Sequence, residues 1–391
     1  MSTKKKKVIR LSKKGQAILF AVFAVIAVLL IVTVAAQKLG NVTINTMTSN
    51  LKSYIMSMGS GEGYPCNIDS DSVKNITVND SNLLILMKDK TTVLNSTAKE
   101  IMPKNHEYIN PAMKTAGSKA IVYDLDSDNF RIQNNSEVTG EYKADNRIIA
   151  AAMGRSGNYA VGTYGDNVQS VLTVYGRSNK KIFVWNFKSE RISDIALSDN
   201  GKFAAVTTLF SKEGKISSKL YVFNFKSDKY VSCFDYDATV LVNVDYVNGN
   251  DVVAVGDNIR TYISNGKTKK EDIKFNSDVL HNYCMTDNGV SALVRSKYGS
   301  KSLSSLTVYK NNKEKCTVDF DKEVKWMDCD GKHTAVLFEN EVRTYNNHGK
   351  QTGSITFSGE PVRVNVDGSR VYVLTSVSLQ RYKVNGSQGA A

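Results

Sequence analysis

The chain has 391 residues, of which 41% are hydrophobic and 23% are charged, and its formal net charge is +13. This composition is that of a folded protein and excludes disorder over most of the chain. Seven positive charges lie among residues 1–14, where no acidic residue occurs, so the other 377 residues carry only +6. That excess is too small for a nucleic-acid-binding surface, and we expect no nucleic acid partner.

The N-terminal region predicts a membrane anchor. Residues 17–36 are uncharged, and a helix of this length spans roughly the 30 Å of bilayer hydrocarbon. The seven preceding cations place the N-terminus in the cytoplasm and the rest of the chain outside. A cleaved signal peptide is the alternative, although such peptides have shorter apolar cores. We predict a basic cytoplasmic tail over 1–16, a single transmembrane helix over 17–36 in the plasma membrane, and a juxtamembrane stalk over 37–63.

One motif recurs through the remaining sequence: an aliphatic residue, two variable residues, then Tyr or Phe. The interval between successive motifs is 36 to 48 residues. A strand-rich unit repeated at this interval is typical of a β-propeller blade. We assign the motif to the third strand of each blade and interpret its aromatic side chain as one that packs a blade on its neighbour. The motif ends at Tyr175, Phe223, Tyr262, Tyr309, Tyr345 and Tyr382.

Strand and turn patterns predict eight blades, which begin near residues 73, 105, 148, 193, 240, 279, 324 and 361. Seven blades is the alternative, because the first two match the pattern weakly. The eighth shows only three strands, and we expect residues 64–68 to supply its outer strand and close the ring. The predicted fold class is therefore all-β: an extracytoplasmic propeller of eight four-stranded blades over 64–387, after one transmembrane helix and before a tail at 388–391.

Two short segments and the whole layout carry a resemblance. The turn Ser198-Asp-Asn-Gly-Lys-Phe203, followed by Leu220-Tyr-Val-Phe223, resembles blades of WD40-like and TolB-like propellers. The basic tail, anchor helix and propeller of about 320 residues together resemble the DUF5711 family of Gram-positive, clostridial-type bacteria. This resemblance implies a membrane-bound extracytoplasmic propeller and supplies no catalytic residues. The Gly-His and Trp-Asp dipeptides of WD40 proteins are absent, so their eukaryotic scaffold roles do not transfer.

The sequence contains no pattern typical of an active site or a cofactor site. The four histidines lie in different predicted blades without the spacing of a zinc site. The segment from Asp124 to Asn129 begins like a calcium loop but lacks its Gly and its bidentate Glu, so we interpret it as a β-turn. Five cysteines without paired spacing leave one structural disulfide open. We expect no enzymatic activity, no cofactor and no metal.

The predicted interaction site lies in long connections between second and third strands, at 165–170, 209–218 and 297–304, which open on one rim. We expect a non-enzymatic binding or scaffolding module of the bacterial cell envelope, whose partner is an envelope protein or an anionic wall polymer. The alternatives are a sensor or assembly factor that acts through its transmembrane helix, and an enzyme that uses the propeller channel. The candidate residues are Lys212, Glu213, Lys215, Lys219, Lys297, Tyr298 and Lys301.

Overall fold

The computed structural model describes residues 59–386 except 80, 267–268, 298–299 and 301–302. These residues form eight antiparallel four-stranded sheets whose first strands neighbour one another around a ring. The predicted eight-bladed propeller is confirmed, and the alternative of seven blades is wrong. The predicted transmembrane helix at 17–36, the stalk as far as residue 58 and the C-terminal tail lie outside the described residues. No helix among the described residues is long and apolar enough to span a membrane.

Each blade is a meander of strands A to D, with strand A at the centre of the ring. Blade one contains β2 (Val73–Asn79), β3 (Asn82–Met87), β4 (Lys90–Leu94) and β5 (Lys104–Asn105). Blade two contains β6 (Pro111–Ala116), β7 (Lys119–Asp124), β8 (Asn129–Asn134) and β9 (Val138–Lys143). Blade three contains β10 (Ile148–Met153), β11 (Tyr159–Thr163), β12 (Ser170–Tyr175) and β13 (Lys181–Phe187). Blade four contains β14 (Arg191–Leu197), β15 (Phe203–Lys212), β16 (Lys215–Asn224) and β17 (Tyr230–Tyr236).

The second half of the ring repeats this order. Blade five contains β18 (Leu241–Val247), β19 (Asp251–Gly256), β20 (Ile259–Ile263) and β21 (Lys270–Lys274). Blade six contains β22 (Asp278–Met285), β23 (Val290–Lys297), β24 (Ser304–Lys310) and β25 (Lys313–Phe320). Blade seven contains β26 (Trp326–Cys329), β27 (His333–Leu337), β28 (Glu341–Asn346) and β29 (Gln351–Thr356). Blade eight contains β30 (Pro361–Asp367), β31 (Arg370–Thr375), β32 (Ser378–Lys383) and β1 (Cys66–Asn67).

The N-terminal strand β1 closes the ring. Cys66 pairs with Leu379 and Asn67 with Ser378, so a strand from the start of the propeller becomes strand D of the last blade. This confirms the prediction for residues 64–68. The pairing covers the outer edge of β32, which would otherwise present unpaired backbone groups to solvent. Two short 3₁₀ turns, Ser70–Ser72 and Ser264–Gly266, complete the regular elements of the described residues.

The motif aromatics lie on strand C of blades three to eight, as the repeat predicts. Their side chains are at most 8% exposed, and the aliphatic residue three positions earlier is also buried in each. Tyr175, Tyr345 and Tyr382 each share a hydrophobic cluster with residues of the preceding blade. In blades three, four, six and seven the outer strand bulges opposite the motif aromatic. The aromatic residues therefore join the blades.

The structure corrects the prediction of a long loop at 209–218. Strands β15 and β16 stay paired as far as Lys212 and Lys215, and only Glu213 and Gly214 form the turn. Both turn residues have positive φ, 51° and 74°, which gives the twist that a two-residue hairpin needs. The Ser and Lys residues of this segment are typical of a loop sequence. In the structure, backbone hydrogen bonds between β15 and β16 continue through the segment, which is therefore an extended hairpin arm.

A disulfide joins two inner strands of the ring. Cys284 on β22 of blade six bonds to Cys329 on β26 of blade seven, with 6.1 Å between their Cα atoms. The sequence left one such pair open without identifying it. The other three cysteines, Cys66, Cys233 and Cys316, are half-buried thiols. A crosslink between neighbouring A strands fixes the spacing of two blades at the channel wall.

Candidate interaction surface

Alternating strand directions give the propeller two distinct faces. The B–C turns and the D-to-A connections between blades open on one face, which we call the B–C face. The A–B and C–D turns open on the opposite face, which we call the C–D face. The predicted interaction residues that the structure describes belong to the B–C face, because they lie at or near the B–C turns of blades four and six.

The hairpin arm of blade four brings Lys212, Glu213 and Lys215 together at its exposed tip. The Lys212 ammonium lies 2.9 Å from Asp237, and that hydrogen bond raises the pKa of the lysine. Lys219 lies lower on the arm, where its ammonium is 2.7 Å from Glu190 and 3.8 Å from Asp235. Neighbouring acids thus neutralise two of the predicted cations.

The blade-six connection contributes less to the predicted site. Lys297 is exposed at the end of β23, whereas Tyr298 and Lys301 lie outside the described residues. The segment at 165–170 is a true connection as far as Gln169, and Ser170 begins β12. Asp124 to Asn129 contains the B–C turn of blade two, as predicted, and the Asp124 carboxylate accepts a hydrogen bond of 2.7 Å from the Asn110 N–H.

The B–C face is acidic when its described residues are taken together. Counting strand ends, its turns and connections contain nineteen Asp and Glu residues and twelve Lys and Arg residues. The cationic excess of the chain therefore does not reside on the rim where we predicted binding. Long-range attraction at this face favours a basic partner over an anionic one.

Exposed apolar side chains mark the same face. Eleven large apolar residues are exposed in the described part of the chain, and seven of them lie at or next to B–C turns and D-to-A connections. The other four lie on the outer strands of blades three and four. The seven belong to connections of different blades, so they share a face and are candidate contacts for a partner that covers several blades. The seven are Ile109, Ile216, Val242, Val279, Leu303, Val362 and Val377.

Sequence reasoning missed Leu303 and Val377 because each stands alone in its segment. Val377 lies between Ser376 and Ser378, and Leu303 between two serines, so neither contributes to a periodic pattern. Their exposed fractions are 67% and 63%. The signal available in the sequence was an isolated apolar residue inside a predicted connection. Such residues can be recognised as parts of one surface only when the connections that open on the same face are considered together.

The central channel contains a network of paired charges at its C–D end. The Lys114 ammonium of blade two lies 3.2 Å from Asp194 of blade four, and Asp194 also accepts the Val244 N–H of blade five. Arg155 contacts Asp199 and Asp287, which belong to blades four and six. These contacts link blades across and around the ring.

An adjoining cavity of about 510 Å³ has several carboxylates in its wall, including Asp287, Asp328, Asp330 and Asp367. Burial raises the pKa of Asp328 to about 6, although it accepts hydrogen bonds from the Val366 N–H and the Asn365 amide. Within the described ranges, no three Asp, Glu, His or Cys side chains are close enough together to hold a metal ion. Asp287 pairs instead with Arg155 of blade three, and Asp328 and Asp330 accept hydrogen bonds from the Val366 and Gly368 N–H groups of blade eight.

Replacing Asp245 by Asn is expected to change the pH dependence of stability. Burial raises the pKa of Asp245 to about 6, against an opposing effect of Lys114. The folded state therefore binds a proton that the unfolded state has released, and stability falls as pH rises from about 4 to 6. We expect the variant to gain about 1–3 kcal/mol over the wild type at pH 8 and nothing at pH 4. Urea unfolding at both pH values measures this; the exposed Asp319→Asn serves as control, and a pH-independent difference would contradict the expectation.

Comparison with solved structures shows other propellers. The structure of Sqt1 from Saccharomyces cerevisiae superposes with a TM-score of 0.58 at 11% identity, covering 84% of this chain and 100% of that one. The C-terminal WD40 domain of Sif2 gives 0.57 at 12% identity, covering 81% and 98%. BamB from Moraxella catarrhalis gives 0.52 at 10% identity, covering 82% and 98%. At these identities the similarity concerns the fold alone.

Comparison by sequence gives one family. No curated protein matches the chain significantly. The profile of DUF5711, described as a family of unknown function, matches residues 59–384, which is the whole propeller. The eight-bladed fold and this match agree with the resemblance drawn from the sequence. The chain is therefore a member of the DUF5711 family.

Proposed function

We propose that this chain is a membrane-anchored, extracytoplasmic binding module that holds an envelope protein on its B–C face. The observation that carries the proposal is the concentration of seven exposed apolar side chains on this one face. Apolar residues that remain exposed on a monomer are favourable sites for a protein partner. Because acidic residues outnumber basic ones among the described residues of this face, the partner's surface would combine apolar and basic side chains.

An anionic wall polymer fits this face less well. Nineteen acidic residues against twelve basic ones would repel a polyphosphate chain at long range. Two cations among the candidate interaction residues, Lys212 and Lys219, are already paired with acids of the propeller. A protein partner is therefore the better proposal.

The disulfide supports a location outside the cytoplasm. Disulfides form and persist in oxidising compartments and are rare in the reducing cytosol. The Cys284–Cys329 bond agrees with the orientation that the basic tail and the apolar segment at 17–36 predict. We propose that the apolar segment anchors the chain in the plasma membrane and that the propeller lies on the outer side.

Photo-crosslinking in living cells tests the partner and the location together. A photoreactive amino acid at positions 109, 216, 303 or 377 should capture the same envelope protein from several of these positions. The same amino acid at positions 178 and 348, in C–D turns, serves as the control. Protease added to intact protoplasts should destroy the captured complex, because the propeller lies outside. Capture that is equal from both faces, or protection from the protease, would contradict the proposal.

Two charge substitutions then test the apolar contact. Leu303→Asp combined with Val377→Asp should weaken binding of the captured protein at least about tenfold, since both side chains would enter the interface as unpaired charges. Both residues are exposed in the free propeller, so its folding should not change. The matched control is Ser178→Asp combined with His348→Asp on the other face. Unchanged affinity in the first pair would contradict the assigned surface.

A further inference from the structure

The C–D face has the opposite charge to the B–C face. Counting strand ends, the C–D turns of blades three to seven and the end of β32 in blade eight contain eleven described Lys and Arg residues and one acid, Asp228. The A–B turns of blades three to eight, which open on the same face, add four basic and five acidic residues, so the face stays basic. Lys181 pairs with Asp145 of the connection between blades two and three, so this cation lies at the outer strands where the two faces meet. Lys270 pairs with Asp272, and most of the others are exposed. Six consecutive blades thus present a cationic ring. Its members are Arg177, Lys180, Lys181, Lys226, Lys229, Lys269, Lys270, Lys310, Lys313, Lys350 and Lys383.

The chain also enters the propeller on this face. The C–D connection of blade one receives the first described residues: the Gly59 carbonyl accepts from Asn95, and the Gly61 and Gly63 N–H groups donate to Thr97. Gly61 fits so closely that a Cβ would lie 2.4 Å from the Thr97 carbonyl oxygen. The point of entry is therefore fixed, and 22 residues separate it from the apolar segment that ends at residue 36.

We propose that the C–D face lies on the anionic headgroups of the bilayer that holds the apolar segment. This rests on the proposed membrane anchor. Clusters of Lys and Arg beside a membrane segment are attracted to a leaflet that contains anionic lipid, and the proposal requires such lipid in the outer leaflet. The 22 residues before Gly59 reach at most about 75 Å when extended, so they keep the propeller at high effective concentration beside that surface, and several weak contacts suffice. The entry point favours lipid over wall polymer, because the link to the membrane segment leaves from the same face as the cations.

Lysine acylation of the full chain in lipid nanodiscs tests the orientation. The reagent is an N-hydroxysuccinimide acetate, and mass spectrometry reads the rate at each lysine. In discs with phosphatidylglycerol, acylation of Lys180, Lys226, Lys229 and Lys350 should fall at least about threefold relative to phosphatidylcholine discs. The effect should disappear at about 0.5 M salt, where the Debye length is only a few ångström. Lys215 and Lys297 on the B–C face are internal controls and should not change.

Equal acylation of the ring lysines in both discs would overturn the proposal. Protection by soluble polyglycerol phosphate in neutral discs, without protection in anionic discs, would assign the ring to a wall polymer and overturn it too. A chain that fails to enter discs would instead contradict the membrane anchor.

A variant adds a second readout. Changing Lys180, Lys226, Lys229 and Lys350 to Gln should release Lys313 and Lys383 from protection in anionic discs. The matched control changes Lys188, Lys215, Lys274 and Lys297 to Gln and should leave that protection intact. If Lys313 and Lys383 of the first variant remained protected from acylation in anionic discs, the result would contradict a joint action of the ring lysines.

Discussion

Replacing Phe223 by Ala is expected to lower the free energy of unfolding by about 3–5 kcal/mol. Phe223 is fully buried, and its ring centroid lies 5.0 Å from that of Trp185 and 5.5 Å from that of Phe183, both on the outer strand of blade three. Removing the ring leaves a cavity between two blades that their paired strands cannot collapse to fill. Urea unfolding of the purified full chain, followed by tryptophan fluorescence, measures the loss.

A matched control lies on the same strand. Ile216 is 60% exposed at the hairpin tip, and Ile216→Ala should change stability by less than about 0.5 kcal/mol. Similar effects at both positions would show that the motif aromatics do not hold the blades together.

Loss of the disulfide is expected to cost about 4 kcal/mol. The two cysteines are separated by 45 residues, and the chain-entropy model gives a stabilisation of that size for a loop of this length. The double variant Cys284→Ala, Cys329→Ala should show this difference in urea unfolding. Cys316→Ala is the control, because it removes a half-buried thiol without removing a crosslink.

The same pair can be examined in cells. Cells are treated with an alkylating reagent before lysis, and the protein is then unfolded in the same reagent and digested without reduction. Mass spectrometry should find Cys284 and Cys329 in one linked peptide and the other three cysteines alkylated. Full alkylation of Cys284 and Cys329 would show that the chain resides in a reducing compartment. That result would contradict the proposed extracytoplasmic location.

The propeller could be predicted because its strands obey local rules. The motif interval located strand C of six blades, and turns such as Asn200-Gly201 separated neighbouring strands. Even the closing strand followed, since residues 64–68 had no partner and blade eight lacked a strand. Each of these inferences used a repeat interval, a turn motif or a missing strand that can be read directly from the sequence.

The rest depends on positions in space. The backbone of Glu213 is in the left-handed region, which residues other than Gly seldom adopt. The sequence therefore gave no sign of a two-residue turn, and the hairpin arm resembled a loop. Cys284 and Cys329 meet only because neighbouring A strands run side by side. The opposite charges of the two faces appear only after alternate turns are grouped together. The sequence and the structure therefore lead to proposals on the same face, but the sequence pointed to its cations and the structure to its apolar and acidic residues.

Ring closure also sets the order in which the chain can finish folding. Cys66 and its partner Leu379 are 313 residues apart, so blade eight cannot be completed until nearly the whole chain has been synthesised. During synthesis, β1 has no partner while seven blades form in succession. A chain that stops before Ser378 would leave β1 unpaired and blade eight open to pairing with another molecule. Synthesis of β32 is therefore the step on which ring closure depends, because only a chain that includes β32 can pair its own first strand.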